Sequence, residues 1–110
     1  MRTTNTFGVQ FITRTNKAKD GLLPIYARVT VDGRRVEISL KRWIKPGDWN
    51  GSKGMAKGSR EEIKSLNHYL DEVRARIMEC YQEMQVQKRL ITADAIKSMF
   101  LGTDQKDFTL

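Results

Sequence analysis

Apolar and polar residues alternate from Phe7 to Arg14, with Phe7, Val9 and Phe11 on one face and Gln10, Ile12 and Arg14 on the other. Successive side chains of an extended chain point to opposite sides, so this period of two predicts a strand. A polar loop with Asn16, Lys17, Lys19, Asp20 and Gly21 follows, and alternation resumes with Ile25, Ala27, Val29 and Val31 against Tyr26, Arg28 and Thr30. Asp32-Gly33 then supplies the dipeptide best suited to a two-residue hairpin, whose type I′ turn needs positive φ at both central positions. That turn fixes the register: Val29 is predicted to face Val36, Ala27 to face Ile38 and Ile25 to face Leu40 on the apolar side. On the other side it sets Thr30 against Arg35, Arg28 against Glu37 and Tyr26 against Ser39, giving a polar, aromatic and cationic surface.

The period changes after Gly58. Ser59-Arg60-Glu61-Glu62 is a capping-box pattern, and Ile63, Leu66, Leu70, Val73, Ile77, Tyr81 and Met84 recur at helical spacing without an intervening Gly or Pro through Arg89. A helix of this length, at ~1.5 Å per residue, outruns a three-stranded sheet, so its distal end needs a second partner. Thr92 begins a shorter helical pattern with Ala95, Ile96, Met99 and Phe100, expected to end at Gly102 and to fold back so that Phe100 is buried. Between sheet and helix, Pro46 to Trp49 predicts an ordered turn and the stretch to Gly58 a mobile one, with Trp43 and Trp49 both closing the edge of the core. The fold expected is α+β: a three-stranded antiparallel sheet packed on a long C-terminal helix, followed by a short second helix. Residues 1–58 are expected to form the sheet and Trp/Pro turn, 59–102 the helices, and 103–110 the start of a linker.

Composition narrows the function. The chain of 110 residues carries a net charge of +7. Residues 1–58 hold 12 Lys and Arg against 4 Asp and Glu, a net +8, and residues 59–110 hold 8 against 9, a net −1. Charge concentrated on the sheet half points to a polyanionic partner. The single Cys80 excludes an internal disulfide and suits a reducing interior. The first residues, Met1 to Thr6, carry no apolar leader run and no stretch reaches the length of a membrane span, so the expected location is the cytoplasm, at the nucleoid.

Catalytic and cofactor chemistry finds no foothold. The one histidine, His68, has no second ligand at metal spacing and reads as a solvated helix residue. Cys80, without a nearby histidine, reads as a small buried hydrophobe. Glu61 and Glu62 are explained by the helix start, where carboxylates interact favourably with the dipole. No glycine motif cradles a phosphate. No cofactor, metal, small-molecule substrate or membrane partner is expected.

The order of these features resembles the N-terminal arm-type DNA-binding domain of phage and conjugative-transposon integrases, the tyrosine recombinases. The likeness rests on the first strand ending in Arg14, on Gly21 and Pro24-Ile25-Tyr26-Ala27-Arg28-Val29, on Asp32-Gly33-Arg34-Arg35, on Pro46 to Trp49, and on Ile63 to Leu70 with Asn67 inside it. It implies a non-catalytic, sequence-specific module that binds double-stranded DNA at arm-type repeats, supporting DNA integration and recombination, alongside other recombinase protomers on the DNA. It also implies that Arg14, Tyr26, Arg28 and Arg35 face the major groove. The residues support the same surface, since a sheet face fits the major groove and Arg grips guanine in two places. Thr30 and Ser39 suit bases or phosphates, while Lys17, Lys19, Arg34, Lys41, Arg42 and Lys45 suit phosphates. Glu37 shares the face and is placed to pair with Arg28. Two rivals remain: an RNA-binding module, disfavoured because Tyr26 is the one aromatic on the face, and an interaction or oligomerisation module using the distal helix stripe around Ile77, Tyr81 and Met84.

Overall fold

The turn at Asp32 and Gly33 forms with φ of 51° and 85°, the conformation a type I′ hairpin demands. It joins β2 (Leu23–Val31) to β3 (Arg34–Ile44), and β1 (Phe7–Thr13) adds to the far edge of β2, giving an antiparallel sheet in the order β1-β2-β3. The computed structural model describes residues 6–88 and 90–105.

Most of the expected register is present: Val29 faces Val36, Ala27 faces Ile38, Thr30 faces Arg35, Arg28 faces Glu37 and Tyr26 faces Ser39. The expected pair Ile25–Leu40 does not form. The ladder shifts between Tyr26 and Pro24, so that Pro24 lies opposite Trp43 and Leu23 opposite Ile44. Pro24 has no N–H to donate, which confines it within a sheet to irregular positions. The surplus on β3 is taken up by a bulge, with Lys41 in the left-handed region at φ 58°. Because the shift is even, side-chain parity survives and both Leu40 and Ile44 stay buried.

The stretch from Trp49 to Gly58, expected as turn and mobile loop, holds a second small hairpin of β4 (Trp49–Asn50) and β5 (Met55–Ala56). Its turn leans on the first strand: a Cβ on Gly54 would lie 3.1 Å from the carbonyl oxygen of Phe11. Asn67 clamps the hairpin from the long helix, its Oδ1 accepting from the Ala56 N–H and its Nδ2 donating to the Ala56 carbonyl, each at 2.9 Å.

The long helix α1 runs Glu61–Val86, shorter at both ends than the sequence suggests. The Ser59 capping box does not form; the N-cap is Arg60, with no side-chain cap. Arg60 instead ties its guanidinium to Asp48 at 2.7 Å while its carbonyl accepts the N–H groups of Ile63 and Lys64. That anchor starts the helix one residue later and leaves Ser59 outside the capping position. Glu61 and Glu62 still fall in the first turn, at the positive end of the dipole. At the other end, Lys88 at φ 57° turns the chain away, and Arg89, the expected last residue, lies outside the described residues.

Helix α2 (Ala93–Gln105) begins with the expected cap, the Thr92 hydroxyl accepting the Ala95 N–H at 3.0 Å. It runs past Gly102, which does not act as a terminator; a glycine within a helix costs only about 1 kcal/mol relative to alanine. Residues 106–110, the rest of the expected linker, lie outside the described residues. The helix folds back on α1 and the sheet, burying Ile96 and Phe100. One core results, in which Val73, Ile77, Cys80 and Met84 of α1 meet Phe11, Val29 and Ile38 of the sheet. Phe7 stacks on Tyr81 with ring centroids 4.2 Å apart. The distal stripe of α1 is therefore covered from within: Ile77 and Met84 are fully buried and Tyr81 lies under Phe7. This removes the surface that the interaction-module reading required. Among the described residues, no helix is long and apolar enough to cross a membrane.

Candidate nucleic-acid interface

Both helices lie on one side of the sheet, which leaves the other open among the described residues. On that open side the two registers align three rows across the strands: Gly8–Thr30–Arg35, Gln10–Arg28–Glu37 and Ile12–Tyr26–Ser39. Their in-between neighbours Ala27, Val29, Val31 and Ile38 are buried against the helices. Period-two alternation thus gathers Tyr26, Arg28, Thr30, Arg35 and Ser39, five of the expected positions, onto one surface. Gln10 and Ile12 share it and were not singled out as contacts from the sequence; the pairing of β1 with β2 is what brings them in.

Arg14 joins this surface from the end of β1. Its Nε donates to Glu37 Oε1 at 3.1 Å and its Nη2 donates to Oε2, a two-pronged grip spanning two strands. Arg28 also reaches Glu37, its Nη2 standing 3.5 Å from Oε2, at the long limit of a hydrogen bond. The Arg28 Nε is buried without a hydrogen-bond partner. The sequence pairs Glu37 with Arg28; the structure makes Arg14 the stronger partner, because the sheet order brings residues 23 apart in sequence within reach of each other across β2. The Arg14 guanidinium holds the Glu37 carboxyl below the usual carboxylate range, outweighing the opposing effect of partial burial, and Glu37 in turn raises the pKa of Arg14. From behind, the Lys97 ammonium on α2 donates to the Glu37 backbone carbonyl at 3.0 Å, occupying part of the free edge of β3.

The remaining cations fall into separate groups. Lys17, in the short 3₁₀ turn after β1, places its ammonium 5.8 Å from the centre of the Tyr26 ring, at the rim of the open face. Arg34 is exposed at the hairpin end, Lys41 is exposed in the bulge, and Lys19 is exposed beside Leu22, with which it forms an isolated bridge. Arg42 departs from the group: its guanidinium sits 4.1 Å from the ring centre of Tyr69 on α1, on the helix side of the sheet. With Lys45 it lines an open groove of about 570 Å³ between the end of β3 and the start of α1.

The two tryptophans, both expected in the core, part company. Trp49 is 9% exposed and belongs to the core, whereas Trp43 is 43% exposed and lines the same groove as Arg42. Alternation explains the difference: with parity kept across the bulge, Trp43 lies on the side of Ser39, opposite Pro24 and away from the buried Leu40 and Ile44. His68 stands on the exposed side of α1 with Glu72 one turn on, at 3.5 Å. Cys80 is buried, which pushes its thiol pKa up and away from the nucleophilic thiolate.

Searches against curated proteins and against solved structures return no match. A family model described as an arm DNA-binding domain does match, over residues 11–97. That span begins at the buried Phe11 of β1 and ends at Lys97, the residue that holds the backbone of Glu37, so it takes in the open-face residues of β2 and β3 and the long helix packed behind them. The chain belongs to the arm DNA-binding domain family.

Proposed function

We propose that this chain is the arm-site-reading module of a tyrosine recombinase, and that the open face of its sheet enters the major groove of double-stranded repeats flanking the crossover site. The observation that carries the reading is the assembly of Arg14, Tyr26, Arg28, Thr30, Arg35 and Ser39 on one uncovered sheet face. Strands about 4.8 Å apart make a three-stranded face roughly 10 Å across, and the B-DNA major groove is about 12 Å wide. Arg28 and Arg35 reach base edges, Thr30 and Ser39 hydrogen-bond bases or phosphates, and Lys17, Lys19, Arg34, Lys41 and Lys45 meet the phosphates on either side. Arg42 contributes charge from the helix side. Duplex DNA suits the face better than RNA, since base-stacking platforms need several aromatics and Tyr26 stands alone among the three rows.

In this role residues 1–58 supply the contacts and residues 59–102 the packing that stiffens them, while residues from 103 onward lead toward core-binding and catalytic regions. Tethering those regions to neighbouring repeats, alongside other protomers, raises their effective concentration at the crossover site. Fluorescence anisotropy tests the reading, with duplexes from the ends of the parent element and a scrambled control at several salt concentrations. One repeat binds more tightly than the control, Arg28→Ala and Arg35→Ala abolish the preference, and log affinity falls linearly with log salt by about 0.9 per neutralised phosphate. Equal, weak binding to every duplex, unchanged in both variants, would overturn it.

A further inference from the structure

Glu37 is out of place on a face that only needs positive charge. Its carboxylate is repelled by every phosphate and offsets one of the arginines beside it. Yet it is held from two directions: the Arg14 fork takes both carboxylate oxygens, and Lys97 fixes its backbone carbonyl from behind the sheet. A solvated charge of no consequence is not positioned in this way. Resting on the proposed function, we infer that Glu37 is a specificity residue that accepts a hydrogen bond from the 4-amino group of a cytosine, while Arg28 grips the guanine of an adjacent base pair.

The hydrogen-bond inventory supports the assignment. An ionised carboxylate offers about four acceptor sites. Oε2 receives Arg14 Nη2 and Arg28 Nη2, whereas Oε1 receives Arg14 Nε alone, so Oε1 retains one acceptor site. The side chain is 27% exposed, enough for a base edge to reach it. In the major groove only cytosine and adenine present amino donors. Adenine places its N7 acceptor beside that amine, where it would oppose a carboxylate, and cytosine presents no such acceptor, which selects cytosine. Arg28 is the complementary reader. With Nε buried and unpartnered and one long bond to Glu37, its guanidinium retains Nη donors for an end-on approach to guanine O6 and N7. Arg14, spent on orienting Glu37, is then a positioning residue.

The test is selection from a random duplex library by the wild-type chain and by Glu37→Gln, followed by binding of the wild-type chain to its selected duplex with one cytosine replaced by an analogue lacking the 4-amino group. The wild-type motif contains a cytosine next to a guanine-bearing pair. Glutamine pairs with adenine N6 and N7, so Glu37→Gln changes that one position from cytosine to adenine, with a preference of about tenfold, and leaves the rest of the motif intact. The cytosine analogue weakens wild-type binding by about tenfold. If thermal melts show Glu37→Gln unfolded, the analogue decides alone, because it leaves the protein untouched. A motif unchanged by Glu37→Gln, or affinity indifferent to the missing amino group, sinks the Glu37 assignment while leaving the sheet as reader. A wild-type selection that enriches no sequence sinks the proposed function itself.

Discussion

Replacing Asn67 by alanine should cost this domain about a third of a modest stability, and the reason lies in one backbone position. Asn67 both accepts from and donates to Ala56 at 2.9 Å, and Ala56 is only 2% exposed, so little water can take its place. A buried polar group left without a partner costs about 1–3 kcal/mol, and taking ~1.5 kcal/mol for each of the two groups gives ~3 kcal/mol. Alanine is the better helix former by roughly 0.5 kcal/mol, leaving a net loss near 2.5 kcal/mol out of a typical total of about 5–15 kcal/mol. At about 4 °C per kcal/mol for a domain of this size, the melting temperature falls by roughly 10 °C. Circular dichroism against temperature and urea measures both numbers. Asn67→Leu separates lost hydrogen bonds from lost volume, since it fills the space and still strands Ala56; it should be nearly as damaging as alanine. A loss under ~0.5 kcal/mol in the alanine variant, or recovery by leucine, would refute the clamp.

Three further outcomes follow from particular contacts. Trp49→Ala should cost about 3–5 kcal/mol as a buried aromatic is removed, whereas Trp43→Ala, at an exposed position, should cost under about 1 kcal/mol; denaturant midpoints compare them directly. Gly54→Ala should destabilise by about 1–3 kcal/mol, read from thermal melts, because φ is +63° and the new Cβ would press on the Phe11 carbonyl. Because the Glu37 carboxyl is depressed by Arg14, the stability it contributes is complete above the unfolded carboxylate value of about 4.3 and is lost as pH falls through the lower folded value. The melting-temperature gap between wild type and Glu37→Gln should therefore be open at about pH 7 and narrow toward about pH 3; a gap constant across that range contradicts the assigned partner.

Local chemistry made much of this fold legible in advance. The Asp32-Gly33 turn sets a register that needs no knowledge of the rest of the chain, and Thr92 caps the helix that the apolar spacing of Ala95, Ile96, Met99 and Phe100 describes. The misreadings arise where a distant contact overrides a local preference. Ser59 has the right chemistry for a cap, but Arg60 is drawn to Asp48, twelve residues earlier, and the helix begins after it. Ile25 and Leu40 match in the hairpin register until Pro24 breaks the ladder and the bulge at Lys41 absorbs the difference. The small hairpin at Trp49 to Ala56 is too short to leave a periodic signature; its stability comes from Asn67 on a helix still to be reached along the chain.

The binding surface divides along the same line. Alternation alone was enough to collect Tyr26, Arg28, Thr30, Arg35 and Ser39, because parity within a hairpin is a local property. How those side chains treat one another is not. Arg14 meets Glu37 only because β1 pairs with β2 on the edge opposite β3, and Lys97 meets the same residue only because α2 folds back across the sheet. Charge counting would subtract Glu37 from the face as a defect. The geometry gives it the opposite meaning: two arginines converge on the one carboxylate in the three rows, and a lysine holds the backbone carbonyl of the same residue. A face built for affinity alone would gain from its removal, so the gain or loss of sequence discrimination in Glu37→Gln distinguishes a surface that holds DNA from one that reads it.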